Sequence, residues 1–177
     1  MGDNTGEARD HVERLRGQWA REVPDIDTSP MTILGRAYRL SNLVRPSIVA
    51  TFARFGLDRG EFDVISTLRR SGPPYKLTPT ELYRSLMISS GGLSHRLVRL
   101  EKSGLITREK STEDGRSFLV ALTPEGQKRA EEAFRADMAN ELRFIDALSP
   151  ERREVLSGLL RELLTAVEAM DGESEGS

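Results

Sequence analysis

The stretch LTPTELYRSLMISSGGLSHRLVRLEKSGLITREKSTEDGRSFLVAL, residues 77–122, decides the fold of this chain. Thr78-Pro79-Thr80-Glu81 is a capping box: the Thr hydroxyl and the Glu carboxylate reach N–H groups that an opening helix leaves without partners, and Pro79 takes the first helical position, where an N–H is dispensable. A helix is predicted from there, with Leu82, Leu86 and Met87 on one side. Ser89-Ser90 offers a new N-cap for a second helix from about Ser90 to Ser103, and Gly104 stops it. In that second helix Leu93, Leu97 and Leu100 repeat at i, i+4 and i+7 on the inward face. The other side carries Ser89, Gly92, His95 and Arg99, a small, polar and basic set. Leu105 to Lys110 and Ser117 to Leu122 then read as two short strands joined through the turn signal Asp114-Gly115, with Arg116 at the tip.

Capped helices and Asp-Gly hairpins are each common, so neither is decisive alone; their order is. Helix, short turn, helix and two-stranded wing make a winged helix-turn-helix, and the outer face of its second helix can approach base edges and hydrogen-bond to bases or phosphates. The DNA-contact candidates are therefore Ser89, Ser90, Gly92, Ser94, His95 and Arg99 on that helix, with Asp114 and Arg116 on the wing. With Leu122-Thr123-Pro124-Glu125-Gly126 opening a further helix, the chain resembles the MarR family of bacterial transcriptional regulators over roughly Thr32 to Val167. The resemblance implies a mainly α fold with a small β-wing and a homodimer that binds a pseudo-palindromic double-stranded operator.

Composition agrees with a soluble helical domain: 177 residues, 37% hydrophobic and 31% charged, with no segment approaching a membrane span. The start Met-Gly-Asp-Asn-Thr-Gly-Glu has no basic or apolar leader character, and the absence of cysteine removes disulfides and thiol chemistry, which points to the cytoplasm. It also excludes a cysteine-based peroxide sensor, a common mechanism in the resembled family. The net charge of −2 is unevenly placed: residues 30–123 hold 15 Lys/Arg against 8 Asp/Glu, while both flanks are acidic. A positive field over the winged helix attracts phosphates, and acidic outer helices keep the remaining surface off the duplex.

In chain order, residues 1–7 are expected to be a disordered N-terminus. Residues 8–29 form an extra N-terminal helix and linker, with Val12, Leu15 and Trp19 as the helix's apolar stripe. Residues 30–56 form a long linking and dimerisation helix that Pro46 kinks or divides. Within the DNA-binding domain, 57–123, Asp58 and Glu61 make another capping box, flanked by Leu57 and Phe62 as a hydrophobic staple. The helix so opened runs to Arg70, with Val64, Ile65 and Leu68 inward and Asp63 and Arg70, seven apart, on another stripe. Residues 124–170 form two C-terminal helices with more apolar surface than a short pair can bury, the expected dimer interface, and 171–177 are a disordered tail.

Arg96 breaks the pattern, because it lies among Leu93, Leu97 and Leu100 on the inward side. Either it reaches solvent or a structural ion pair from the edge of the stripe, or it belongs to a buried ionic cluster with Asp63. Here the resemblance narrows to the urate-responsive branch, the regulators similar to HucR and PecS. That branch places a tryptophan in an extra N-terminal helix, an aspartate and an arginine seven apart in a middle helix, an arginine in the recognition helix and another at the start of the wing. Trp19, Asp63, Arg70, Arg96 and Arg108 match those positions. The resemblance implies no bound cofactor but a small anionic effector, urate, stacked on Trp19 and paired with Arg70 and Arg96. Asp63 is then the switch and Arg108 the coupling residue. Citrate, aconitate or a phenolic ligand are the alternatives, since polycarboxylates satisfy the same arginines.

An enzyme is the main rival class, but there is no cysteine and no Gly-rich phosphate loop, and the two histidines are His11 on the first helix and His95 on the DNA face. A scaffold that binds only protein predicts no salt-dependent affinity for duplex DNA.

Overall fold

The computed structural model describes residues 10–87, 92–110 and 118–174, the last four by backbone alone. The chain divides into two units, one up to Ala50 and one from Thr51 onward.

In the first unit, Asp10 caps α1 (His11–Glu22) by accepting the Glu13 N–H at 2.8 Å. A 3-10 turn (Ser29–Thr32) leads into α2 (Leu34–Ala53), which continues past the unit's end. The long helix expected from Pro30 is thus preceded by a separate turn, which Pro30 opens without needing an N–H. Pro46 does not divide α2, which is one helix of 20 residues. Val12 of α1 is buried and packs beside Gly35, where a Cβ would stand at ordinary contact distance, 3.6 Å from Val12 Cγ1. Arg36 braces the same joint by donating to Asp10 at 2.7 Å.

The second unit carries the winged helix. Its elements are α3 (Arg59–Arg70), β1 (Lys76–Leu77), α4 (Pro79–Ser85), α5 (Leu93–Lys102), β2 (Ile106–Lys110), β3 (Phe118–Leu122), α6 (Pro124–Ile145) and α7 (Pro150–Ser174). Both predicted capping boxes are present, at Asp58/Glu61 and Thr78/Glu81. The core collects Phe52, Val64, Ile65, Leu68, Leu82, Leu97, Leu100, Ile106 and Val120, each nearly solvent-free. Burial of one such side chain contributes about 1.5–3 kcal/mol, so this cluster holds the helices against the sheet. Phe62 stacks on Phe52, ring centroids 4.1 Å apart.

The wing hairpin joins a third strand to make an antiparallel sheet of order β1-β3-β2, with Arg108 opposite Val120 and Lys76 opposite Ala121. β1 went unread because two residues carry no alternation. Thr123 caps α6, and Gly126 in its first turn sits directly on the Leu105 carbonyl; a Cβ there would lie 2.0 Å from that oxygen.

Three expected boundaries shift. α4 ends at Ser85, so Met87 is not on its apolar side but 85% exposed. α5 begins at Leu93 rather than Ser90, with Gly92 as N-cap at φ +78°, a left-handed backbone that glycine reaches without strain. Ser89, Ser90 and the wing residues Asp114 and Arg116 lie outside the described residues, as do residues 1–9. α7 continues to Ser174, beyond the expected end at Met170. Apolar side chains stay open to solvent on α6 (Phe134, Met138, Leu142) and α7 (Val155, Leu159, Leu164).

Candidate DNA interface and effector site

α5 buries Leu97 and Leu100 and exposes Ser94, His95 and Arg99, as an inward leucine stripe requires. Arg99 is held, however. Its Nε–H donates to Glu61 Oε1 at 2.8 Å and its Nη2 to Asp58 Oδ2, so it engages both carboxylates of the α3 capping box. The Glu61 carboxylate, and next to it Asp58, raise the proton affinity of Arg99. Burial pushes the Asp58 carboxyl up, but the Glu61 N–H and Arg99 outweigh it and leave the pKa below the ordinary value. The sequence placed Arg99 on the DNA face but did not show this brace, because spacing within α5 carries no information about the end of α3.

Asp63 is buried on α3, and its carboxylate faces the end of α4. Oδ1 accepts the Met87 N–H at 3.2 Å and lies 3.9 Å from Arg70 Nη1. Arg70 in turn donates through Nη2 to the Ser85 carbonyl. Two side chains seven apart on one helix therefore hold the last residue of α4, Ser85, and Met87 two positions beyond it. That Asp63 and Arg70 both bind backbone was not legible, since the partners are main-chain groups.

Arg96 is half-buried and its guanidinium rests on Gly60, one helical turn before Asp63. A Cβ at Gly60 would stand 2.1 Å from Arg96 Nε and 2.4 Å from Cζ. Periodicity could not find this contact, because what Gly60 supplies is the absence of a side chain. Arg108 on β2 pairs through Nε with Glu101 of α5 at 3.1 Å and lies 5.3 Å from the Phe118 ring centroid. It thus joins the wing to the recognition helix.

Trp19 belongs to the first unit, whereas Asp63, Arg70, Arg96 and Arg108 belong to the second. Trp19 is 53% exposed and lines an open, almost wholly apolar cavity of about 280 Å³ with Val23, Ile26, Asp27, Thr28, Pro30 and Met31. That size is near the lower end for small-molecule sites (~300 Å³). Arg16, which the sequence did not single out, donates through Nε to the Thr28 hydroxyl at 3.4 Å. Among the described residues no group of His, Asp or Glu is arranged to hold a metal ion, and no helix is long and apolar enough to cross a membrane.

Comparison with known proteins agrees with this fold. The MarR family model matches residues 55–117. The transcriptional regulator PecS of Dickeya dadantii is 35% identical over 149 residues, spanning 84% of this chain and 90% of the relative. Among solved structures, AbsC of Streptomyces coelicolor, a MarR family transcriptional regulator, superposes with a TM-score of 0.68 at 23% identity, covering 81% of this chain and 98% of its own. Sco3205 from the same organism, a MarR family regulator solved in complex with DNA, gives a TM-score of 0.68 at 25% identity over 81% and 91% of the two chains. These relatives are transcriptional regulators, not enzymes.

Proposed function

The chain is a DNA-binding transcriptional regulator of the MarR family, and from that premise we propose that it is a homodimeric repressor that leaves its operator when a small anion, urate, binds. Two copies related by a two-fold axis present two α5 helices to half-sites about one helical turn apart (~34 Å), which matches a pseudo-palindromic operator. The exposed apolar faces of α6 and α7 support this dimer. Ser89, Ser90, Gly92, Ser94, His95 and Arg99 face the major groove, with Asp114 and Arg116 on the wing beside it.

The observation that carries the effector reading is the grip of Asp63 and Arg70 on Met87 and Ser85. An anion that pairs with Arg70 and Arg96 competes with Asp63 for Arg70 and repels its carboxylate, which loosens the turn that orients α5. A ligand with different affinity for the two arrangements shifts the population away from the DNA-competent one. Urate is the anion that also uses Trp19, whose ring offers a stacking face. A polycarboxylate such as citrate or aconitate is the second reading, favoured by the two guanidinium groups of Arg70 and Arg96 in one unit. Urate titration of wild type and Trp19→Phe by calorimetry separates the two: urate binding weakened in the variant supports stacking, while binding of citrate alone, equal in both proteins, supports the polycarboxylate.

A further inference from the structure

The edge of the Arg99 guanidinium that faces α3 is fully used. Nε–H donates to Glu61 and Nη2 to Asp58. Neither carboxylate is loose: Glu61 Oε2 accepts the Asp58 N–H and Asp58 Oδ1 accepts the Glu61 N–H, each at 2.8 Å. The Glu61 side chain is 9% exposed and that of Arg99 58%. A guanidinium is a rigid planar fork with five N–H donors. Holding its Nε/Nη2 edge from one side leaves the Nη1/Nη2 end as a second pair of parallel donors, the pattern that matches O6 and N7 of guanine in the major groove.

We propose that Asp58 and Glu61 are specificity-determining positioning residues, which orient Arg99 so that its outer edge reads one guanine in each half-site. This rests on the assignment of the outer α5 face to the major groove. The brace sets direction because the carboxylates are committed to helix-capping N–H groups and cannot follow a guanidinium that swings away. An arginine ordered before it meets DNA also loses less side-chain freedom on docking. The geometry differs from that of a trap, which would close around both donor edges and bury the guanidinium.

The experiment selects bound duplexes from random-sequence DNA with the purified full-length protein. The selected duplex is then titrated with each guanine replaced in turn by 7-deazaguanine, which lacks the N7 acceptor. Wild type is expected to lose roughly tenfold in affinity or more at one guanine per half-site, the scale of a bidentate base contact. Arg99→Ala should be indifferent at that position. Asp58→Asn and Glu61→Gln, both compatible with a helix cap, should keep the fold and show a sensitivity reduced to a few-fold. If these two variants bind every duplex more tightly with an unchanged guanine dependence, the carboxylates only repel phosphates and the proposal is overturned. It is also overturned if Arg99→Ala keeps the guanine dependence of wild type. Should wild type enrich no sequence, the underlying assignment of α5 to the major groove fails and the proposal with it, an outcome distinct from the other two.

Discussion

The Asp63 carboxylate accepts the backbone N–H of Met87 at 3.2 Å, which ties a buried charge on α3 to the segment that follows α4. Arg70, 3.9 Å from the same carboxylate oxygen, holds the Ser85 carbonyl on the other side of that turn. A change at Asp63 therefore reaches the segment that follows α4 through two backbone contacts, at Met87 and, by way of Arg70, at Ser85.

Asp63→Asn keeps the shape and an acceptor for Met87 but removes the charge that an anion would displace. Urate should bind at least as tightly as in wild type, while DNA release at saturating urate should fall several-fold, because ligand affinity and coupling are separate quantities. Paired isotherms for urate and for DNA at fixed salt measure both. Normal release by this variant would place the switch elsewhere.

Gly60 and Gly126 should respond oppositely to alanine. At Gly60 the obstacle is the end of the Arg96 side chain, which can swing away, and alanine favours a helix by up to about 1 kcal/mol. Gly60→Ala should melt no lower than wild type yet lose most of its response to the anion, since Arg96 is displaced. At Gly126 the obstacle is the Leu105 carbonyl oxygen, which belongs to the backbone. Gly126→Ala should lose about 1–3 kcal/mol in denaturant unfolding. A destabilised Gly60→Ala with an intact response would contradict the assignment of Arg96.

The helices and the wing were legible because capping boxes and a leucine period act locally: Thr78/Glu81, Asp58/Glu61 and Leu93-Leu97-Leu100 each state a structure within a few residues. Arg96 stood out as a charge among inward leucines, and Asp63 and Arg70 through their match to the pattern of the resembled branch. The partners of those charges were not legible, because Ser85 and Met87 contribute backbone groups and Gly60 contributes space. The brace of Arg99 depends on how α5 crosses the start of α3, a tertiary relationship that periodicity does not encode.

Asp137 on α6 should make stability fall as pH rises. It is 5% exposed, its Oδ1 is buried with no hydrogen-bond partner, and burial, then Glu141, push its pKa from 3.8 to about 6, against the opposing pull of Arg59. The folded state thus holds this proton more tightly than the unfolded chain, so the associated stability is full below pH 3.8 and lost by about pH 6. Asp137→Asn should be more stable than wild type by on the order of 1–3 kcal/mol at pH 7 and nearly equal to it near pH 4. An equal difference at both pH values would show that Asp137 is not the titrating group.

Arg108→Ala removes the link from the wing to Glu101 of α5. The pair is partly exposed, so unfolding free energy should change by less than about 1 kcal/mol. Affinity for DNA should fall on all sequences alike, with urate affinity unchanged. A selective loss at one operator position would make Arg108 a base reader instead.

The most direct test of an anion-released regulator is one titration: purified protein against its selected duplex at fixed salt, with and without urate, and with citrate in a parallel series. The account predicts nanomolar-scale binding (~10⁻⁸ M or tighter) that weakens as salt rises and a further loss of at least tenfold at saturating urate. Unchanged affinity in urate and in citrate alike would contradict it.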